Sequence, residues 1–392
     1  MDKIGIIMNG VTGRMGTNQH LERSIVAIRR QGGVLLRNGR RVLPDPVLLG
    51  RNPEKLAALA QKYEVERWST SLDDCLSDPQ NAIYFDSQAT SLRAASVRQA
   101  LAAGKHVYCE KPLTDDFKEA MELAGMATTA GVRHGIVQDK LFLPGLLKLK
   151  QVIQSGFLGR ILSVRGEFGY WVFEGDVQPA QRPSWNYRKA DGGGIILDMF
   201  PHWQYLLENI FGPVTALSCL AATHIPERVD EAGETYAATA DDAVYATFQL
   251  EGGVIVQLNS SWCTRVHRDE LLILQVDGDK GSAVAGLREC EVQQRATTPR
   301  AVWNPDAPDP IDYLDGWQKV PTAGSYENAF KIQWEMYLRH VLEDAPFPHD
   351  FFQAARGLQV VEAGLRSWKE GKWQDVPALT AQPLLIPQGR AR

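Results

Sequence analysis

Close to the N-terminus an apolar run, Ile4-Gly-Ile-Ile-Met8, breaks into Gly10-Val-Thr-Gly13-Arg-Met-Gly16. No other feature limits the possible folds as much. A short apolar run, then glycines, then a helical pattern over residues 17–30 with Leu21, Ile25 and Ile28 on one face reads as strand, tight turn and helix. The glycines let the backbone approach a pyrophosphate, whose charge sits on the free N–H groups where the helix starts. Glycine triplets occur in many turns, so the reading also leans on a second motif, Ala103-Gly-Lys-His-Val-Tyr-Cys-Glu110-Lys111-Pro112. Together they point to a nicotinamide dinucleotide cofactor.

Strand and helix then alternate. Residues 34–43 form a hairpin around Asn38-Gly39, a pair that favours a tight turn. Strands at 46–50, 82–86 and 106–109 are separated by helices at 53–63 and 92–103, a pattern of parallel strands with crossovers. After about residue 140 the texture changes. A helix at 144–156, a strand at 160–171 and a helix at 193–211 lead into strands at 214–222, 243–250, 254–262 and 271–276 without helices between them. The fold class is α/β: a doubly wound parallel Rossmann sheet over 1–138, then an α+β domain over 139–392 with a large open, mostly antiparallel sheet. Residues 291–325, rich in Pro and Asp and carrying Trp303, Tyr313 and Trp317, read as a long loop or lid. Helices at 329–342 and 352–370 end the chain and are expected to pack back on the first domain.

Composition narrows the function. With 392 residues there is room for two domains, and 44% hydrophobic with 23% charged residues is ordinary for a soluble globular protein. A net charge of −5 and the lack of any Lys/Arg block argue against nucleic acid. No apolar run approaches a membrane span and the first residues carry no signal-peptide pattern, so the cytoplasm is the expected location. The five cysteines are scattered and make no disulfide framework. Cys263 and His267 have helix-like spacing without a further ligand, so no metal site is expected.

At this point the motifs resemble those of the Gfo/Idh/MocA oxidoreductases, glucose–fructose oxidoreductase and inositol dehydrogenase among them. The residues that carry the likeness are Gly13-Arg-Met-Gly16, the 103–112 segment, Gly156-Phe-Leu-Gly-Arg-Ile-Leu162 and Gly192-Gly-Gly-Ile-Ile-Leu-Asp-Met-Phe-Pro-His202, with a final helix followed by Val376-Pro. The resemblance implies a Rossmann domain and an open antiparallel sheet, with the substrate between that sheet and the nicotinamide. It also implies that Lys111, Asp198 and His202 line the reaction centre, and that the substrate is a sugar, cyclitol or derivative changed at one carbon. A homodimer or homotetramer built on the exposed sheet face is a further implication.

Oxidising a secondary alcohol needs a base for the hydroxyl proton while hydride leaves carbon. Lys111 directly follows a strand, at the carboxyl end where parallel sheets place ligands. Asp198 and His202 are four apart on a helix and share a face, and Pro201 between them should kink it. His202 and Lys111 are assigned the proton and Asp198 the orientation of hydroxyls or of the lysine; which of the two is the primary base stays open. Tyr170, Trp171, Trp185, Asn186, Tyr187 and Arg188 suit polyol recognition by stacking and hydrogen bonds, though the aromatics serve equally as core. Gln138, Asp139 and Lys140 fall where the family carries polar substrate contacts.

The cofactor set is Gly10, Thr12, Gly13, Arg14, Met15 and Gly16 on the turn, Arg51 and Asn52 after the second strand, Ser87, Glu110 and Lys111. Three departures from the family pattern bear on it. The turn is Gly-x-x-Gly-x-x-Gly, one residue longer than usual. The inserted hairpin delays the second strand, which ends in Arg51-Asn52 with no acid for a ribose 2′-hydroxyl; Arg51, with Arg14, suits a 2′-phosphate and favours NADP(H) over NAD(H). Ser87-Gln-Ala-Thr-Ser-Leu-Arg93 replaces a common Thr-Pro…His stretch. Two other functions stay open: a glycosidase using a retained nicotinamide for transient oxidation, and a non-catalytic sensor, which would not need Lys111, Asp198 and His202.

Overall fold

A computed structural model describes residues 2–171, 182–300, 304, 306, 311–322 and 324–379. The chain divides into two units: residues up to Gln138 with Asn328–Gln359, and Asp139–Glu327 with Val360–Pro377.

In the first unit β1 (Asp2–Asn9) runs into the glycine turn. A π-helix, Gly16–Val26, and α1 (Ala27–Arg30) follow, covering the helix expected at 17–30. Wide helical turns of this kind are rare and concentrate at functional sites. The hairpin strand β2 (Val34–Leu35) turns through Gly39, at φ 81°, and pairs antiparallel with β3 (Arg41–Leu49). β3 is longer than the strand expected at 46–50. Its Pro44 and Pro46 sit between the stretch paired with β2 and the stretch paired with β4 (Arg67–Ser69), where the outer edge needs no N–H donor. Arg29 and Arg67 donate to the carbonyls of Pro44 and Asp45 there, at 2.7 and 3.0 Å.

The unit continues with α2 (Pro53–Tyr63), α3 (Leu72–Ser77), β5 (Asn81–Asp86), α4 (Thr90–Ala102), β6 (His106–Cys109), α5 (Phe117–Ala130) and β7 (His134–Ile136). The parallel order is β4–β3–β1–β5–β6–β7, the doubly wound arrangement. Every parallel strand therefore ends on the same edge, where Gly10, Arg51, Ser87 and Lys111 fall. Ile6, Met8, Ile83 and Phe85 form the core with Trp334, Tyr337 and Leu338. Those three belong to the helix over residues 329–343, which packs against the π-helix.

The second unit holds α6 (Pro144–Gln154), β8 (Ile161–Gly169), α7 (Ile195–Ile210), β9 (Val214–Ala222), the ribbon β10 (Glu227–Val229) and β11 (Thr235–Ala237), β12 (Ala243–Leu250), β13 (Ile255–Ser261), β14 (Leu272–Gly278), β15 (Gly281–Ala285), β16 (Cys290–Gln294) and β17 (Gln318–Lys319). After α8 (Ala329–Glu343) and α9 (Phe351–Glu370), β18 (Gln374–Asp375) closes the edge. Among the described residues the sheet order is β17–β16–β15–β14–β8–β13–β12–β9–β18, antiparallel except for β8 with β13. The open antiparallel sheet is as expected. The lid expected at 291–325 needs correction: its first residues belong to β16, and Gln318–Lys319 pair back onto Glu291 and Val292, so the segment leaves and rejoins the sheet edge. Trp303 lies outside the described residues. α7 packs on the sheet through Phe200 and Trp203, against Phe248 and Phe168.

Candidate active site

The glycine turn fits a dinucleotide for separable reasons. A Cβ on Gly10 would lie 2.7 Å from the Ser87–Gln88 backbone, and one on Gly16 would lie 2.6 Å from the Gly10 carbonyl. Those two glycines let the turn close against the end of β5. A Cβ on Gly13 would meet only the Gly10 carbonyl at 3.3 Å, and Gly13 and Arg14 are exposed, which leaves the outer face open to a pyrophosphate. Met15 and Thr12 are half-buried beside them. Ser87 donates its hydroxyl to the Asn9 carbonyl at 3.0 Å, tying the ends of β5 and β1. Arg51 is exposed beyond β3. The Asn52 side chain caps α2 by accepting from Lys55 N at 2.9 Å.

Glu110 and Lys111 follow β6, with a cis bond joining Lys111 to Pro112. Glu110 is buried. Its Oε1 lies 2.8 Å from His20 Nε2, and its Oε2 accepts from Lys111 N at 3.1 Å. Trp334 Nε1 donates to His20 Nδ1 at 3.0 Å; an indole N–H is a donor only, so the imidazole proton sits on Nε2 and points at Glu110. Burial would raise the Glu110 pKa, but the His20 hydrogen bond and the Lys111 and Arg93 charges outweigh it and lower it. Glu110 thus braces the backbone of Lys111. Arg93, buried, pairs with Asp86 at 3.0 Å and also donates to the Gln88 and Pro112 carbonyls.

In the second unit Gly194, at φ 125°, and Asp241 set the start of α7. Asp241 accepts from Ile196 N at 2.8 Å, and burial pushes its carboxyl pKa up against that bond. α7 continues unbroken through Pro201. His202 is 4% exposed, with Nδ1 2.7 Å from Tyr205 Oη and Nε2 3.3 Å from Lys140 Nζ. An ammonium only donates, so Nε2 is the acceptor and the ring proton lies on Nδ1, directed at Tyr205. Lys140 N also donates to Tyr205 Oη at 3.3 Å, so Lys140 and Tyr205 bracket the imidazole. Asp198 Oδ2 lies 3.0 Å from Arg182 Nη2.

The remaining sequence assignments separate. Trp185 is 49% exposed, free to offer a face. Trp171 bridges to Cys263 and lies under the Arg265 guanidinium, 4.4 Å from it. Tyr187 is buried at 3% exposure beneath Arg228, 3.8 Å from its ring, and burial pushes its hydroxyl pKa up; its place is the core. Arg188 pairs with Asp230 and covers Tyr236. Gln138 is interior, with Oε1 2.7 Å from His349 Nδ1 and its N–H donating to Gln333. Tyr187 and Gln138 are thus held in interior contacts and Arg188 in an ion pair. Sequence reasoning misses the roles of Tyr205, Arg182, Arg93 and His20. Only Tyr205 carries a signal: three residues after His202, it shares the helix face.

A doubly wound sheet with a glycine turn and a lysine at its carboxyl edge, in a chain that also carries an Asp/His pair on a helix of the second unit, defines a nicotinamide-dependent oxidoreductase. The chain belongs to the Gfo/Idh/MocA family: residues 34–137 match the model described as oxidoreductase family, NAD-binding Rossmann fold, and 146–284 match the GFO/IDH/MocA C-terminal domain. It is 54% identical to a D-xylose dehydrogenase of Paenarthrobacter nicotinovorans, over 96% of this chain and 98% of that one. A levoglucosan dehydrogenase of Pseudarthrobacter phenanthrenivorans is 23% identical over 86% of this chain and 90% of its own. Among solved structures, the apo form of levoglucosan dehydrogenase shares the fold at a TM-score of 0.79, with 22% identity, 97% of this chain and 100% of that one covered. Its complex with NADH and levoglucosan gives 0.77 at the same identity, covering 96% and 100%. Among the described residues no helix is long and apolar enough to cross a membrane.

Proposed function

We propose that the protein is an NAD(P)-dependent sugar dehydrogenase acting on D-xylose or a closely similar sugar. The observation that carries this is 54% identity to a D-xylose dehydrogenase along nearly the whole of both chains. When bound, the nicotinamide supplies the hydride acceptor or donor. The chain supplies the proton chemistry and the orientation. Lys111 and His202 handle the hydroxyl proton, with the imidazole held between Tyr205 Oη at Nδ1 and Lys140 Nζ at Nε2. Asp198 accepts from substrate hydroxyls, and Trp185 offers an exposed aromatic face.

NADP(H) is favoured over NAD(H), because β3 ends in exposed Arg51 without an acid to hold a ribose 2′-hydroxyl. Arg14 adds a second exposed cation. The protein is assigned to the cytoplasm, as a homodimer or homotetramer. Leu220 and Tyr245, paired across β9 and β12 and 66% and 46% exposed, support an interface between copies on that sheet face.

The test is reduction of NADP and NAD in parallel by the purified protein with D-xylose, other aldoses, cyclitols and glycosides. Turnover of D-xylose supports the reading, and Arg51→Glu should then shift preference toward NAD. Glycoside cleavage without net nicotinamide reduction would move the assignment to the retained-cofactor glycosidase; silence with tight cofactor binding would move it to a sensor.

A further inference from the structure

Arg182 occupies a place in the second unit that no motif announces. Its Nε donates to Tyr170 Oη at 2.9 Å and its Nη1 to Asn186 Oδ1 at 3.2 Å, while Nη2 lies 3.0 Å from Asp198 Oδ2. The guanidinium carbon stands 4.2 Å from the centroid of the Trp262 ring. Three edges and one face of the planar cation are engaged. Burial works against its charge, and Asp198 and Tyr170 reverse that effect, so its pKa is pushed up.

We propose that Arg182 is the positioning residue for Asp198: it holds the carboxylate in one rotamer, a fixed acceptor for a substrate hydroxyl. A guanidinium suits this because it directs several donors in one plane while stacking on an aromatic ring. A lysine would supply the charge without the fork. A site with a fixed acceptor recognises a sugar by the hydroxyl it holds, and it discriminates against an analogue lacking that hydroxyl because the analogue forfeits that hydrogen bond. Arg182 therefore contributes to selectivity without touching the sugar. The identity of the substrate rests on the dehydrogenase reading above; the clamp on Asp198 does not.

The experiment compares the wild-type protein with Arg182→Gln, Arg182→Lys, Asp198→Asn and the Arg182→Gln/Asp198→Asn double variant. Three quantities are measured: kcat and KM for D-xylose and its deoxy analogues, NADPH and NADH affinity by fluorescence, and thermal unfolding. Arg182→Gln should raise the sugar KM by about tenfold or more and narrow the discrimination against one deoxy analogue, with cofactor affinity within about twofold. Arg182→Lys should recover part of the loss. In the Asp198→Asn background, Arg182→Gln should cost less, in KM and in thermal stability, than it costs in the wild type, since coupled residues are not additive. Wild-type KM and selectivity in Arg182→Gln, or additive thermal losses in the cycle, would overturn the proposal. If the wild-type protein turns over no sugar, the dehydrogenase reading fails, and the thermal cycle still decides whether Arg182 and Asp198 act together.

Discussion

Arg93 Nε lies 3.0 Å from Asp86 Oδ1, and the two side chains are 3% and 0% exposed. The same guanidinium donates to the carbonyl of Pro112, so one side chain links the end of β5 to the residue after Lys111. Removing one member of a buried pair strands the other charge, at a cost of about 3–5 kcal/mol. Arg93→Met should lower stability by about that amount and reduce kcat more than cofactor affinity. Urea unfolding together with NADPH titration checks this; a variant of wild-type stability would show that the pair does not support the turn.

Gly16→Ala places a methyl 2.6 Å from the Gly10 carbonyl and 2.7 Å from Ser87 Oγ. The carbonyl belongs to the turn itself and cannot yield without opening it. Cofactor affinity should fall by about tenfold or more, with a stability loss of about 1–3 kcal/mol from overpacking. Gly13→Ala meets only a 3.3 Å contact inside the protein, so it should fold normally while weakening cofactor binding from the outer face. Equal stability losses in the two variants would contradict this division of labour.

Lys111→Met should retain cofactor binding and lose turnover by about 10²–10⁴-fold, the range ascribed to a positioned proton-transfer group. Stopped-flow and steady-state rates with saturating cofactor would measure it. Near-normal turnover would remove Lys111 from the proton chemistry and leave that role to His202.

Tyr205→Phe deletes the group facing His202 Nδ1 at 2.7 Å and the acceptor for Lys140 N. The imidazole then keeps Lys140 Nζ at Nε2 but loses the partner of its Nδ1 proton. Stability should fall by about 1 kcal/mol, and kcat should fall further than KM rises. A rise in KM alone would mean that Tyr205 serves binding and leaves the proton path untouched.

Much of this is legible in the chain. The order of strands, the glycine turn and the placement of Lys111, Asp198 and His202 come from local signals: apolar period, Gly-Gly-Gly before a helix, and Pro112 after a strand. The signal is lost where structure depends on long-range pairing. β4 and β7 have three residues each, too few for a period, and are strands because a neighbour offers a ladder. β16 reads as part of a lid because Pro and Asp dominate the residues after it. The π-helical winding of Gly16–Val26 leaves no mark in a hydrophobic pattern read at 3.6 residues per turn. Arg182 and Arg93 act through carboxylates brought near by the fold or through backbone carbonyls, and a guanidinium on the sequence does not say which acceptor it will meet.

Glu110 gives the first unit a defined response to acid. Its folded pKa is lowered from 4.5, because the His20 hydrogen bond and the Lys111 and Arg93 charges overcome the opposing effect of burial. Between the folded and the unfolded pKa values the unfolded chain binds more protons, so stability rises with pH across that window. The contribution of Glu110 is complete above its unfolded value near 4.5 and is lost as pH falls through the lower folded value. Glu110→Gln cannot titrate. The wild-type protein should therefore be the more stable at neutral pH, by a few degrees in Tm, and its advantage should shrink steadily below about pH 4.5. Other carboxylates titrate in the same range, so the difference between the two unfolding curves, measured from about pH 3 to pH 7, isolates this group. A constant difference over that range would mean that Glu110 has the same pKa folded and unfolded, and that His20 holds it by shape and not by charge.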